Sequence, residues 1–184
     1  LSLSSPIDPT QSLNHQLPII LCMPAMGVPA RKYLPLAESL NQNGFISAIF
    51  ELRGIESSSV RAGRKSNFGY HEILSYDLPE AIQFIRLHYP QNPIYLLGHS
   101  LGGQLAMLYM SINPTDISGL IGVATGSPYF KGWSFPYNFG IILLSLFMPL
   151  VAAFMGYFPG RKLGFGGRES HKLVKDWAHS VKRG

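Results

Sequence analysis

Two hydrophobic periods alternate along this chain. Residues 17–23 are an almost unbroken apolar run bounded by turn residues, which predicts a strand buried on both faces. Residues 33–43 instead place Leu34, Leu36, Ala37 and Leu40 at helical spacing, and Gly44 stops them. Residues 45–50 return to the strand pattern. Residues 72–88 form the next helix, with Ile73, Leu74, Leu78, Ala81, Ile82 and Ile85 on its inner side. An apolar strand from Ile94 leads into a helix ended by Asn113-Pro114, and residues 117–124 are another apolar strand. Residues 1–5 alternate like the end of a strand, residues 6–16 are a polar loop, and residues 59–69 are a polar, basic surface excursion. This alternation predicts an α/β fold with a doubly wound, mainly parallel sheet covered on both faces. Chemistry in such sheets sits at the carboxyl ends of the strands, so the loops 24–29, 51–58, 98–102 and 124–129 should share one rim.

The pattern breaks after Pro128. Residues 139–158 are twenty positions without a charge, flanked by Lys131 and by Arg161-Lys162. Length alone would let this stretch cross a membrane. Pro149 and Gly156 interrupt it, however, and two short apolar helices forming a cap over the site are the expected arrangement. Peripheral membrane contact through that cap is the further reading. Residues 169–182 then place Leu173, Val174, Trp177, Ala178 and Val181 on one helical face, with Lys172, Lys175 and Lys182 elsewhere around it. Residues 1–127 are accordingly assigned to the core and residues 128–184 to a helical cap.

At 184 residues, 46% hydrophobic and 14% charged, the chain can bury one core. Its net charge of +5 is concentrated at the end. Residues 161–184 carry Arg161, Lys162, Arg168, Lys172, Lys175, Lys182 and Arg183 against Glu169 and Asp176 alone. With no nucleic-acid-binding motif beside it, this basic stretch reads as a solvated helix face rather than a nucleic-acid site. The single Cys22 falls in the first buried run and excludes an internal disulfide, which favours a cytoplasmic setting. Zinc spacings, Walker loops and repeats are absent, so no metal is expected. The chain opens at Leu1 without a methionine or a secretory signal, and it reads as a piece of a longer protein.

Candidate chemistry centres on Gly98-His99-Ser100-Leu101-Gly102-Gly103, where the strand from Ile94 meets the following helix. Strand, Gly-x-Ser-x-Gly and helix in this order are the context of a nucleophile elbow. Gly98 and Gly102 leave room for a turn too tight for side chains on both sides of the serine. The helix start aims free N–H groups, Leu101 among them, at the space beside the hydroxyl, where they can stabilise an oxyanion.

These residues resemble the α/β-hydrolase superfamily, close to the branch of serine aminopeptidases and monoacylglycerol-lipase-like predicted hydrolases. Residues 98–103 match the family elbow. Residues 51–58 resemble the loop written D-x-R-G-x-G-x-S, with Glu51 in place of Asp and Glu56 in place of Gly. Residues 24–29 occupy the place of the usual His-Gly oxyanion loop, and residues 156–164 and 176–178 resemble the cap. The resemblance implies Ser100 as nucleophile, the Leu101 N–H as one oxyanion donor and the Met26 position as the second. His99 sits beside the nucleophile and is expected to be structural.

A serine hydroxyl needs a histidine to take its proton and a carboxylate to orient that histidine. After Ser100 the chain offers Asp116, Glu169 and Asp176, with His171 and His179. Asp116 precedes its strand, and the others fall in or beside the cap helix. His71 and Asp77 lie near the helix before the elbow and suit solvated or capping roles. The economical expectation is that two further strands carrying the acid and the histidine lie beyond Gly184. The functional reading is a cofactor-independent serine hydrolase for a small hydrophobic ester or amide, weak or inactive by itself. The alternatives are a non-catalytic binding protein on the same scaffold and an acyltransferase using the same serine.

Overall fold

The computed structural model describes residues 2–4 and 17–184; the loop expected over residues 6–16 lies outside them. The central sheet has five strands in the order β1-β3-β2-β4-β5. These are β1 (Ser2–Ser4), β2 (Ile19–Met23), β3 (Ile46–Ile49), β4 (Ile94–His99) and β5 (Gly119–Val123). Strands β2 to β5 run parallel, with Met23 opposite Gly98 and His99 opposite Val123. The short β1 joins antiparallel on the edge of β3, pairing Ser2 with Ile49.

Side chains of β2 alternate between two apolar layers, as the pleat requires. Ile20 and Cys22 pack with Tyr33 and Ala37 at the start of and within α1 (Leu34–Gln42). Ile19, Leu21 and Met23 join the larger layer on the opposite face. Burial pushes the Cys22 thiol up to about 11, so it behaves as a packed apolar group. The larger layer includes α3 (Leu78–His88) and α4 (Leu101–Ile112), and it runs on into Met148, Ala152, Leu173, Val174 and Val181 of the C-terminal region.

Two expectations change. The helix placed at 72–88 begins as α2 (Tyr70–Glu72) and passes through a wider π turn at Ile73–Asp77 before α3. Pro79 has no N–H to offer and would crowd a tighter turn, and Leu78 N–H reaches back to the Ile73 carbonyl instead. Secondly, the two short cap helices are one, α5 (Tyr137–Met155), with Pro149 inside it. The proline removes a single backbone donor, and the apolar residues on both sides of it keep the helix going. Gly156 ends it in the left-handed region at φ 84°, where its N–H bonds to the Ala152 carbonyl at 2.8 Å. The parallel sheet is flanked by helices as expected, and among the described residues Ile121 and Val123 of β5 are 44% and 46% exposed.

The C-terminal region continues with β6 (Phe158–Pro159), α6 (Gly160–Leu163) and β7 (Arg168–Glu169), the two strands pairing antiparallel. It ends in α7 (His171–Arg183), capped by the Ser170 hydroxyl, which accepts from Leu173 N–H at 3.1 Å. Helix α7 buries Leu173, Val174, Trp177, Ala178 and Val181, the face read from the sequence, and packs along α5. The polar excursion 59–69 fastens to it. Arg168 Nε donates to the Ala62 carbonyl at 2.8 Å, Lys172 N–H donates to Asn67 Oδ1 at 2.8 Å, and Ser170 Oγ donates to the Phe68 carbonyl.

Candidate active site

Ser100 occupies the turn between β4 and α4 with φ 51° and ψ −116°, a conformation that non-glycine residues rarely adopt. Its surroundings hold it there. Ser100 N–H donates to the Val123 carbonyl at 3.0 Å, and Thr125 Oγ1 donates to the Ser100 carbonyl at 2.7 Å. Backbones close in from two sides: a Cβ on Gly98 would stand 2.3 Å from Gly103 Cα, and one on Gly102 would stand 2.2 Å from the Met23 carbonyl oxygen. Both glycines are therefore obligatory for packing, and the strain at Ser100 is stored by contacts on both flanks.

Leu101 is the first residue of α4, so its N–H is one of those the helix leaves unbonded. Met26 reaches the same place from the turn after β2. Together with Ser100 and Leu101 it lines a cleft of about 570 Å³. The cleft walls are apolar, contributed by Trp133, Ile141, Leu144, Phe165 and Trp177 of the C-terminal region. Gln104 Nε2 donates to the Gly126 carbonyl at 3.0 Å and ties the rim loop after β5 to α4.

His99 faces away from this chemistry. Its Nδ1 shares a 2.7 Å hydrogen bond with the Tyr33 hydroxyl, whose oxygen also accepts from Ala25 N–H at 3.0 Å. The pair thus braces the start of the Met26 turn against β4. The loop 51–58 lies on the same rim but contributes nothing to the cleft lining. Its two departures from the family pattern carry structural work: Glu51 accepts from Ala30 N–H at 3.0 Å, and Glu56 takes Arg31 in a two-pronged ion pair at 2.7 and 2.9 Å.

Neither histidine nor carboxylate is found among the described residues that line the cleft. The candidates have other posts. Asp176 Oδ2 accepts from Tyr70 N–H at 2.9 Å, and Asp116 accepts from the Tyr109 hydroxyl at 3.3 Å beyond the opposite end of the sheet. Asp77 is paired with Arg53, and His71 Nδ1 lies 3.3 Å from the Ser75 hydroxyl. His171 and His179 line a different groove, between α5 and α7. Glu169 is buried beneath the Met26 turn, where its Oε1 accepts from Gly167 N–H at 2.8 Å. Desolvation pushes its carboxyl up to about 7, although the Gly167 hydrogen bond and the Arg161 charge act the other way.

The apolar walls were legible only as a run of suitable composition. Which of its side chains face Ser100 depends on how α5 and α7 rotate against each other. Thr125 carried no distinctive sequence signal, because a threonine after a strand has commoner uses, and Glu169 was legible only as one of three acids after Ser100.

A sequence profile described as "Serine aminopeptidase, S33" matches residues 15–179. Rat monoglyceride lipase (Rattus norvegicus) is 36% identical over 50 residues, which are 27% of this chain and 16% of that protein. The fold resembles Paleococcus ferrophilus monoacylglycerol lipase with a TM-score of 0.61 and 17% identity, over 89% of this chain and 65% of that one. It also resembles a soluble variant of Saccharomyces cerevisiae monoglyceride lipase in complex with a substrate analogue, with a TM-score of 0.63 and 18% identity. That match covers 90% of this chain and 60% of the yeast chain. The chain thus spans less than two thirds of the length of each of these relatives.

Proposed function

Since the chain belongs to the serine aminopeptidase S33 family of α/β hydrolases, we propose that it contributes the nucleophile, the oxyanion donors and the acyl cleft of a carboxylic-ester hydrolase. The observation that carries this reading is the strained Ser100 on the floor of an apolar cleft, beside the free Leu101 N–H. Attack of Ser100 Oγ on an ester carbonyl puts negative charge on the carbonyl oxygen. The Leu101 and Met26 N–H groups meet that charge and cost no reorganisation as it develops. Collapse of the tetrahedral adduct breaks the bond to the leaving oxygen, which takes up the proton given up by Ser100 and departs as the alcohol, and leaves the acyl group on Ser100. Water then attacks the acyl-enzyme and frees the acid.

Trp133, Ile141, Leu144, Phe165 and Trp177 make a wall suited to an alkyl chain and offer no partner for a charged one. Together with the monoglyceride lipases among its relatives, this favours a monoacylglycerol or a similar long-chain ester. No histidine lines the cleft among the described residues, so slow turnover is expected of the 184-residue chain.

The test is prolonged incubation with a fluorophosphonate at pH 9, followed by peptide mass spectrometry, beside assays with a long-chain monoacylglycerol. Labelling confined to Ser100 and lost in Ser100→Ala, with little turnover of the ester, is the expected result. No label at Ser100, together with retention of the intact ester in the cleft, would replace the hydrolase by a hydrophobic-ligand binding protein.

A further inference from the structure

Helix α5 carries two apolar faces, and the fold uses one. Ser145, Met148 and Ala152 are buried, and the last two join the layer formed with Val174, Ala178 and Val181 of α7. On the other face Leu143, Leu146, Phe147, Leu150 and Phe154 recur at helical spacing and are open to solvent. Leu150 is 70% and Phe154 84% exposed. Phe135 and Tyr137 extend the exposed apolar surface at the start of the helix. A stripe of this size on a folded chain marks a contact surface.

The charges around the stripe identify its partner. Lys175 and Lys182 of α7 share a groove with Leu146 and Leu150, and Arg64 Nη2 donates to the Phe154 carbonyl at 2.7 Å at the far end. The acid in that groove, Asp176, is engaged with Tyr70 N–H. Between Asp116 and Glu169 the chain has no acidic residue, and Glu169 itself is buried. His171 and His179 also line the groove, and neither brings an acid to it.

We propose that α5 lies flat on the surface of an anionic lipid bilayer, its outer stripe in the acyl boundary and Lys175, Lys182 and Arg64 among the headgroups. A protein partner of matching shape would need a long apolar strip bordered by acids, whereas a bilayer of anionic lipid supplies both along any direction. Crossing the membrane is a poorer fit, although the 19 residues of α5 are enough to do so. It would strip α7 and the core layer from Met148 and Ala152. This inference stands on the surface of α5 and does not depend on the chemistry of Ser100.

Vesicle sedimentation tests it with the intact chain, using phosphatidylcholine alone and phosphatidylcholine with about one third phosphatidylglycerol. The expected result is binding to the anionic vesicles that weakens as salt is raised. The exposed pair Leu150→Gln with Phe154→Gln should lower partitioning about tenfold or more, with the circular dichroism unchanged. Lys175→Gln with Lys182→Gln should remove most of the dependence on salt and on phosphatidylglycerol. Absence of binding to the anionic vesicles, or equal binding by both variants, overturns the proposal. So does a dimer in analytical ultracentrifugation that the Leu150/Phe154 variant converts to monomer, since a second copy would then own this face.

Discussion

Gly27 and Gly167 meet backbone to backbone: a Cβ on Gly27 would stand 2.0 Å from the Gly167 nitrogen. The contact presses the turn that carries Met26 against the glycine-rich turn before β7, and Gly27 itself has φ 71°. One wall of the Ser100 cleft is thereby set by residues distant in sequence.

Gly27→Ala should consequently destabilise the chain through both a left-handed strain and a clash with rigid backbone, by about 2–4 kcal/mol. Urea unfolding monitored by circular dichroism reads this directly. The same substitution at Gly126, around which nothing lies within 4 Å of a built Cβ, should cost less than about 0.5 kcal/mol.

Glu169 makes stability depend on pH in a defined direction. Its carboxyl is raised from 4.5 to about 7 in the folded chain, so the folded state holds a proton that the unfolded state has released. The resulting stabilisation is fully present below pH 4.5 and is lost as pH rises through about 7. The loss is on the order of 3 kcal/mol. Glu169→Gln keeps an acceptor for Gly167 N–H and has no proton to lose. Its unfolding free energy, measured in urea at pH 5 and pH 8, should therefore lack the fall attributable to this group in the unsubstituted chain.

Strain at Ser100 offers a separate test. Glycine accepts φ 51° readily, so Ser100→Gly should abolish fluorophosphonate labelling while raising stability by about 1 kcal/mol, the released strain exceeding the added freedom of the unfolded chain. A variant less stable than the parent in thermal unfolding would show that Ser100 is not held under strain.

Gly102→Ala should be far worse tolerated than its position at the start of a helix suggests. Its Cβ would meet the Met23 carbonyl oxygen at 2.2 Å and the Pro24 carbonyl oxygen at 2.6 Å, neither of which can move without shifting β2. We expect a loss of at least about 2 kcal/mol, with a matching fall in soluble yield.

Much of this molecule follows from local pattern. The parallel strands, α1, α4, the buried face of α7 and the elbow glycine Gly98 all arise from interactions between near neighbours in sequence, or from the requirement that an apolar run find cover. At Gly98 the excluding backbone is that of Gly103, close in sequence, whereas at Gly102 it is that of Met23 and Pro24, which only the fold brings there. Other features belong to tertiary structure. Whether residues 139–158 break into two helices or run as one depended on whether the cost of the missing Pro149 donor was outweighed by packing against α7. The same packing decided which apolar side chains face Ser100 and which face outward, since α5 is apolar all round and composition cannot orient it. The raised carboxyl of Glu169 arises from desolvation by residues brought over it through folding, a property of the assembled interior rather than of any stretch of sequence.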